Sequence, residues 1–536
     1  MTDEQNRNIA YNIAWYLHSY EIRHVVVSPG SRNAAIIDVL ANGPFCFKLH
    51  YVVDERQAAF TALGIVVATH RAVAMVCTSG SAMLNYAPAL AEAYYSRIPL
   101  VAITADRPAD IIDQRDSQTI RQAHALDAVV RRSVDIADDM PAPYVRRLIQ
   151  DAIRAADDGI SGPVHINVRL HQPMAELQGD AGEPVVVIPH TAFPDLDDLR
   201  RDVLYRLGNR ILIIIGGMDY NHRLHDVLCT LRDQAPQADC DEKLGNVAIV
   251  AEVGSNVGKC ADIMAGDFET AIAEGRLNDL MPDTVVIMGG ALVSAGIKRW
   301  LRELPESTHV VNVGYDDIIV DTFGRLTDTV ECFPDQFFIC LAHATRRSDY
   351  RSRIAALPHN IEHPLFDALQ TALNSEDLNL HLSNGTTVRL AAAMKLPKAR
   401  VWCNRGVSGI DGSTSTAVGT AIAFPFITTL LVTGDMSAAY DISALSNPAI
   451  PPTFKMIIRA NGGGDIFRRI AATRHLDIVE PYLAAMPLFP IAEIARAYGF
   501  DFAETALADV TADGLRNFIN LPRKAILLVK ENKYTE

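Results

Sequence analysis

The chain has 536 residues, which at about 150 per domain suggests three or four domains; 49% are hydrophobic and 21% charged, the balance of a globular protein with a large core. A formal net charge of −15 disfavours nucleic acid and anionic membrane as partners, so any cluster of arginines stands out. Met1–Asn6 is polar and acidic, unlike a secretory signal, and no apolar run is long enough to span a bilayer, so no membrane association and a cytoplasmic location are expected. The eight cysteines show no CxxC and no Cys/His ligand spacing, which argues against structural zinc and a disulfide framework and predicts reduced core residues.

An amphipathic helix is predicted over Ile9–Leu17. A strand over His24–Ser28 follows and ends in SPGSR, where Pro29 and Gly30 turn the chain. Arg32 then sits at a helix start, as an anion site or as a solvated turn charge. A strand over Leu49–Val53 leads through Asp54-Glu55 into a helix over Gln57–Val67. Acids at a helix start are favoured by the macrodipole, so capping alone could explain the pair, although it usually needs only one. The strand Ala72–Cys77, the turn TSGS, a long helix to Tyr95, Pro99, the strand Leu100–Ala105 and the turn Asp106-Arg107-Pro108 come next. Gln118, a helix over Pro143–Ala156, a strand over Val164–Val168 and Pro173 close a first domain over residues 1–175, and Glu176–Asp198 reads as an acidic linker.

The middle third, a central domain over 195–350, alternates helices with strands at Ile211–Ile215, Val247–Ala251, Thr284–Met288 and Val310–Val313. Two of these strands end in Gly-Gly, at 216 and 289, without GxGxxG, so a dinucleotide is not indicated. GSNVGKC, Gly254–Cys260, looks like a degraded P-loop, one spacer short and with Cys260 where the magnesium-binding hydroxyl belongs. Lys298-Arg299 is expected to begin a helix after the second Gly-Gly turn, with surface charge as the default reading.

The last third, a domain over 360–536, begins with a helix, a loop holding Asn384, a helix carrying Arg389, and a strand into CNRGVSGIDGSTSTAVG, which holds Arg405 and Ile410. Leu430–Phe467 then repeats the plan of residues 72–108: apolar strand, Gly-containing polar turn, helix, proline, apolar strand, polar turn. The chain thus reads as carrying two copies of one α/β unit. Two adjacent strands would deliver Asp435 and Asn461 to one sheet edge, where ligands bind. An Asp carboxylate, an Asn carbonyl and a main-chain carbonyl in a Gly turn are hard oxygen donors that suit magnesium. Gly462, Gly463 and Gly464 would let a diphosphate approach the backbone closely. An ordinary βαβ turn with an N-capping Asp remains the alternative. No GxSxG or HExxH appears.

SPGSR, DER, TSGSAMLNYAPALAEAYYSRIPL, TADRP, GPVHINV, NRGVSGIDG, GDMS and NGGGDIF, in this order and spacing, resemble the MenD family. These are the thiamine-diphosphate-dependent 2-succinyl-5-enolpyruvyl-6-hydroxy-3-cyclohexene-1-carboxylate (SEPHCHC) synthases of menaquinone (vitamin K2) biosynthesis. The resemblance is strongest in the first 175 residues and from about 380 to 467. It implies an α/β fold of three domains, each a mainly parallel sheet flanked by helices: pyrimidine-binding, central and diphosphate-binding. It further implies a transferase of the transketolase class that decarboxylates 2-oxoglutarate and adds the succinyl carbanion equivalent to isochorismate, and it implies a homodimer or a dimer of dimers.

By the same resemblance Mg2+ or Mn2+ is held by Asp435, Asn461 and the Gly463 carbonyl. Glu55 meets N1′ of the aminopyrimidine, and Ile410 bends the cofactor. Ser79, Gly80, Gly434, Met436, Ser437, Gly464, Ile466 and Phe467 complete the cofactor contacts. Arg32, Arg107, Gln118, Lys298, Arg299, Arg389 and Arg405 match the substrate-contacting positions, which suits two substrates bringing four carboxylates between them. Met436 replaces the second glycine of the general thiamine signature GDG, where the family itself tolerates a larger residue; Gly462 stands where many relatives have Asn or Asp, and Gly385 where a serine is expected. RRIAATRHLDIV also follows Phe467 without the usual apolar-Pro continuation, so a different lid is expected. The alternatives are another thiamine enzyme, of the acetolactate synthase or 2-oxoacid decarboxylase type, and a non-catalytic binding protein on the same fold. One carboxylate on pyruvate would not need so many arginines, and a non-catalytic protein would be expected to lose Glu55 or Asp435.

Overall fold

The computed structural model describes residues 3–114, 116–137, 140–157, 159–170, 207–233, 245–314, 322–323, 325–341, 348–469 and 472–531. The acidic linker and Pro173 lie outside the described residues. Contacts group the chain into two compact units. One joins the chain up to residue 191 with 404–426 and 438–454; the other takes 192–403, 427–437 and 455–536.

The first unit is built on a six-stranded parallel sheet of β1 (His24–Val27), β2 (Lys48–Tyr51), β3 (Val73–Cys77), β4 (Leu100–Asp106), β5 (Arg132–Ile136) and β6 (Val164–Arg169). Its order is β2-β1-β3-β4-β6-β5. Its inner strands β3 and β4 are buried throughout, because parallel strands covered on both faces need continuous apolar sequence. One face is covered by the helices Asp3–Ser19 and Ala142–Ala156, which pack Ile13, Leu17, Ile149 and Ile153 into the core. Over another part of this unit the helix Glu55–Thr69 crosses Ser413–Ala423 at backbone contact. A Cβ on Gly64 would lie 2.0 Å from the Thr416 carbonyl oxygen, one on Gly419 would lie 2.2 Å from that of Thr61, and Thr420 Oγ1 donates to the Gly64 carbonyl at 3.0 Å. Two glycines are the condition for that crossing.

The second unit holds two sheets. The central sheet comprises β7 (Ile211–Ile215), β8 (Val247–Ala251), β9 (Ile263–Met264), β10 (Thr284–Met288), β11 (His309–Gly314) and β12 (Asp328–Glu331), ordered β12-β11-β10-β7-β8-β9. This is the strand order of dinucleotide folds. Its two Gly-Gly turns serve each other instead. A Cβ on Gly216 would lie 2.1 Å from the Gly290 carbonyl oxygen, and Gly290 N–H donates to Gly217 at 2.7 Å. The third sheet comprises β13 (Asn379–Leu382), β14 (Arg400–Trp402), β15 (Thr429–Gly434), β16 (Phe454–Ala460), β17 (Asp501–Ala506) and β18 (Ala525–Lys530), ordered β14-β13-β15-β16-β18-β17. Counted from its own first strand, this repeats the order of the first sheet.

Four local expectations need correction. The long helix to Tyr95 is two helices, Ser81–Leu84 and Ala87–Tyr95, because Pro88 lacks an N–H and its ring opposes the Leu84 carbonyl. Lys298 and Arg299 do not begin a helix. They lie in the middle of Ala295–Arg302, which starts one residue after Ser294, whose hydroxyl accepts from Ile297 N–H. The stretch Gly254–Cys260 forms two 3-10 turns, not a loop feeding a helix, so it has no P-loop geometry. The cysteines are not uniformly core residues either: Cys46 is exposed, and Cys229 and Cys403 are half-buried.

Candidate active site

In the first unit the site residues stand at the carboxyl ends of β1 to β4, where the strands hand over to helices. Asp54 and Glu55 divide their work. Asp54 caps the helix by accepting from Gln57 N–H at 3.1 Å, so Glu55 in the first turn is not needed as a cap. It is half-buried, and its charge helps push the buried Cys77 thiol and Tyr86 hydroxyl upward, an effect dominated by their own burial.

After β3 the buried Ser79 leads into Gly80, whose φ of +88° and whose closeness to the Gln118 backbone leave no comfortable place for a side chain. Gly80 N–H donates to Gln122 Oε1 at 2.7 Å. Gln122 in turn donates to Asn167 Oδ1 at 2.9 Å, and Asn167 donates to Asp106 at 2.9 Å. Gln118 itself is exposed, at a φ of +56°.

Two arginines come together above this network. Arg32 is buried and donates to the Leu170 carbonyl at 3.0 Å; burial first and the charge of Arg107 second lower its pKa, with Asp116 opposing. Arg107, at the end of β4, donates to the Ser117 carbonyl at 2.9 Å and faces the Asp116 carboxylate at 3.8 Å. Two neighbouring guanidinium groups set against the one half-exposed carboxylate of Asp116 make a site for an anion.

The loop carrying Arg405 and Ile410 belongs to this same unit. A residue the sequence reading missed holds it: the buried Glu92 accepts from Ser96 Oγ at 2.9 Å, from Gly406 N–H at 2.7 Å and from Val407 N–H at 2.8 Å. Burial raises the Glu92 pKa; those donors and Arg405 oppose the rise. Only an acid inside an apolar helix face, in AEAYY, could have signalled it. Asp441, missed too, accepts from Ser415 N–H and Oγ at 2.7 and 2.8 Å and so fixes the helix that follows the loop.

In the second unit β15 ends at Gly434-Asp435 and the neighbouring β16 at Asn461. The buried Asp435 carboxylate accepts from Met436 N–H at 2.7 Å, Gly462 N–H at 2.8 Å and Gly463 N–H at 3.2 Å. Burial raises its pKa and these amides restrain the rise. Among the described residues the Oδ1 of buried Asn461 has no donor. Gly462 and Gly463 have φ near +90°, and a Cβ on Gly463 would lie 2.2 Å from the Ala484 carbonyl oxygen. An ionisable carboxylate, an orphaned amide oxygen and a backbone turn that excludes side chains fit a hard divalent cation next to a diphosphate.

Gly434 N–H donates to Ser383 Oγ at 3.2 Å, and Ser437 is buried on the helix that follows. Gly464, Ile466 and Phe467 form the next turn, the helix Asp465–Arg469. Beyond it, one π-helical turn at Val479–Leu483 brings the chain back so that Gly464 N–H donates to Ala484 at 3.2 Å, and Arg468 ties Glu480 to the Gly462 carbonyl. Arg389 is exposed on the helix Thr386–Leu390 and donates to the Gly385 carbonyl. That helix is held by Arg459, buried in β16, which donates to Thr386 and Thr387 and to Glu531 at 2.8 Å. Lys298 and Arg299 stand after β10; the buried Glu252 accepts from Val293 and Ser294 N–H at 2.8 and 3.3 Å and fixes the start of their helix.

Residues 7–126 match the family model described as thiamine pyrophosphate enzyme, N-terminal TPP binding domain. A solved chain described as thiamin diphosphate-dependent, from Mycobacterium smegmatis, shares the fold, with a TM-score of 0.69 at 17% identity over 97% of this chain and 99% of that one. The SEPHCHC synthase of Flavobacterium psychrophilum is 34% identical over 97% of this chain and 95% of its own. That of Porphyromonas gingivalis is 32% identical over 95% and 92%. With end-to-end likeness at this level, the chain belongs to the SEPHCHC synthase family.

Proposed function

We propose that this chain is a thiamine-diphosphate-dependent SEPHCHC synthase that decarboxylates 2-oxoglutarate and adds the remaining four-carbon unit to isochorismate, on the way to menaquinone. The observation that carries the reading is the Asp435 turn in a chain of this family. A buried carboxylate, the orphaned Asn461 Oδ1 and the Gly463 backbone are the donor set that would hold Mg2+ or Mn2+ and, through it, a diphosphate. Gly434, Met436, Ser437, Gly464, Ile466 and Phe467 would line that end of the cofactor, with Ser79, Gly80 and Ile410 at its pyrimidine end. When bound, thiamine diphosphate supplies the carbon nucleophile and electron sink for decarboxylation.

The chain's own residues do the rest. Glu55, released from capping by Asp54, would hold a proton at its carboxyl and share it with a ring nitrogen. Arg32 and Arg107 would neutralise one substrate's carboxylates; Arg405, Gln118, Arg389, Lys298 and Arg299 are assigned to the others. Loss of isochorismate in a mixture with 2-oxoglutarate, thiamine diphosphate and Mg2+ tests the activity; no loss, with the cofactor bound, would refute it.

The active species is proposed to be at least a homodimer, working in the cytoplasm, with Glu55 of one chain serving the Asp435 turn of another. Glu55→Gln and Asp435→Ala chains, inactive alone, should regain about a quarter of parental activity when mixed and exchanged, through hybrids with one intact site. No recovery after verified exchange would place both half-sites in one chain.

A further inference from the structure

Outside the site described above, His225, Cys229 and Cys260 gather in the central domain so that one ligand atom from each lies within 4.8 Å of the others. The expectation of no CxxC and no Cys/His ligand spacing overlooked one pair. His225 and Cys229 are four residues apart on the helix His222–Asp233, which places them one above the other on the same face. Cys260 comes from the 3-10 turn Gly258–Cys260, in the connection from β8 to β9. Cys229 Sγ is 3.2 Å from Cys260 Sγ and 3.8 Å from either ring nitrogen of His225.

From these positions we infer a metal site for one thiophilic divalent ion of the Zn2+ class, with two thiolates and one imidazole as ligands and a fourth position open to water. Soft sulfur and borderline imidazole donors select zinc-like ions over Mg2+, and Zn–S bonds of about 2.3 Å put two tetrahedral thiolates about 3.8 Å apart, so the sulfurs need to part by about 0.6 Å. His225 offers a choice of nitrogen. Both are 3.8 Å from Cys229 Sγ, and the exposed Asp226 carboxylate, 3.8 Å from Nδ1, is too far for a hydrogen bond, so either nitrogen can serve as the ligand. The surroundings are apolar: Cys260 belongs to the same core cluster as Leu224, Leu228, Val257 and Met264. His225 and Cys229 are half-buried at its edge, so an ion can enter and a water can complete the shell. Bound there, the ion would tie the helix to the β8–β9 connection. Binding releases the two thiol protons to solvent and needs no oxidant.

Cobalt distinguishes this site from the oxygen donors at Asp435. With the full-length, reduced, metal-free protein, one equivalent of Co2+ is expected to give the intense visible bands of a tetrahedral ion and a thiolate-to-cobalt charge-transfer band, both displaced by Zn2+ and insensitive to Asp435→Ala. Cys229→Ser should weaken the charge-transfer band, and His225→Ala should lower affinity at least about tenfold. Both changes sit at half-buried positions where folding is expected to survive, and thermal melting with and without Zn2+ should show an upward shift in the parent only. Three results would each overturn the assignment: a weak octahedral spectrum alone, a spectrum unchanged in Cys229→Ser, or thiols that under reducing conditions bind Mg2+ and Zn2+ equally poorly.

Discussion

The first and third sheets share one strand order, and corresponding turns can be set side by side. After the third strand of each comes Ser79-Gly80 in one and Gly434-Asp435 in the other; after the fourth comes Arg107 in one and Asn461 with its glycines in the other. After the second strand, the first sheet turns in two acids, Asp54-Glu55. The third uses a ten-residue loop, 403–412, which carries Arg405 and Ile410 before the helix Ser413–Ala423. The repeated topology decides where ligands are met. On the proposed function the side chains at equivalent slots decide which: Arg32, Arg107 and Glu55 in one copy suit organic acids and a heterocycle, while the other copy combines the hard oxygen donors at Asp435 and Asn461 with the arginine of its long loop, Arg405.

If that division is right, breaking one copy must leave the other's function standing. Asp435→Ala carries the largest expected effect: metal-dependent cofactor binding should fall below detection by calorimetry, with the helical signal kept but the melting temperature lowered, since the Met436, Gly462 and Gly463 N–H groups lose their acceptor. Binding at parental strength would dissolve the contrast. Glu55→Gln is the reciprocal change. Cofactor should bind as before while exchange of its C2 proton, followed by NMR, slows about a hundredfold to ten-thousandfold. Exchange at the parental rate would remove Glu55 from the chemistry.

Arg107→Ala and Arg405→Ala probe the anion side of the first unit. Each should cost roughly 2 to 5 kcal/mol in kcat/KM, because a carboxylate is left in a desolvated site without its partner, with cofactor affinity unchanged. A kcat/KM unchanged from the parent for both substrates would make them structural charges. Glu92→Gln is smaller and sharper. It keeps an acceptor but loses the charge that holds Gly406 and Val407, about 1.5 to 3 kcal/mol of loop order. KM for substrate should rise while C2 exchange stays parental; a fall in exchange instead would mean that Glu92 supports the cofactor and not the Arg405 loop.

The strand bounds read most closely from sequence are those of interior strands in the central sheet. Ile211–Ile215, Val247–Ala251 and Thr284–Met288 match their expected bounds, because a strand between two others in a covered parallel sheet has to be apolar throughout, and polar residues mark where it stops. Of the unpredicted strands, two lie inside the third sheet: β13, NLHL, is buried throughout but short and broken by His381, and β18, AILLVK, is a plain apolar run that the sequence reading missed. The other four, β5, β9, β12 and β17, are edge strands. They pack on one side only, and β17, DFAETA, is exposed or half-buried along its whole length, so no run of apolar residues announces it. The same logic runs through the site. Asp435 and Asn461 stood out because they end buried strands in glycine turns, whereas Glu92, Asp441 and Arg459 lie within elements, where a lone charge among apolar neighbours carries no spacing signal. The His225–Cys229 pair was hidden for another reason: its partner, Cys260, is brought to it only by tertiary structure.

Histidines within the two sheets give the smallest effect and a further comparison. His165 in β6 lies 2.8 Å from Thr104 Oγ1 and is pushed down to about 4, by burial first. His381 in β13 is fully enclosed, and burial alone takes it from an ordinary 6.5 down to about 3. A folded pKa below the unfolded one means that the unfolded chain binds the proton first. Stability is therefore complete above pH 6.5 and is lost as the pH falls from there toward 3. At pH 5 the loss through His381 is about 2 kcal/mol by this linkage. His381→Leu removes the titrating group while filling the same apolar space, so the variant should lose less stability than the parent between pH 7.5 and pH 5, by about that amount. Hydrogen exchange of the β13 and β15 amides reads the effect locally, which matters in a chain of several domains. Equal acid sensitivity of those amides in both proteins would mean that His381 already titrates in the fold, and that the third sheet is more open to water around β13 than its burial implies.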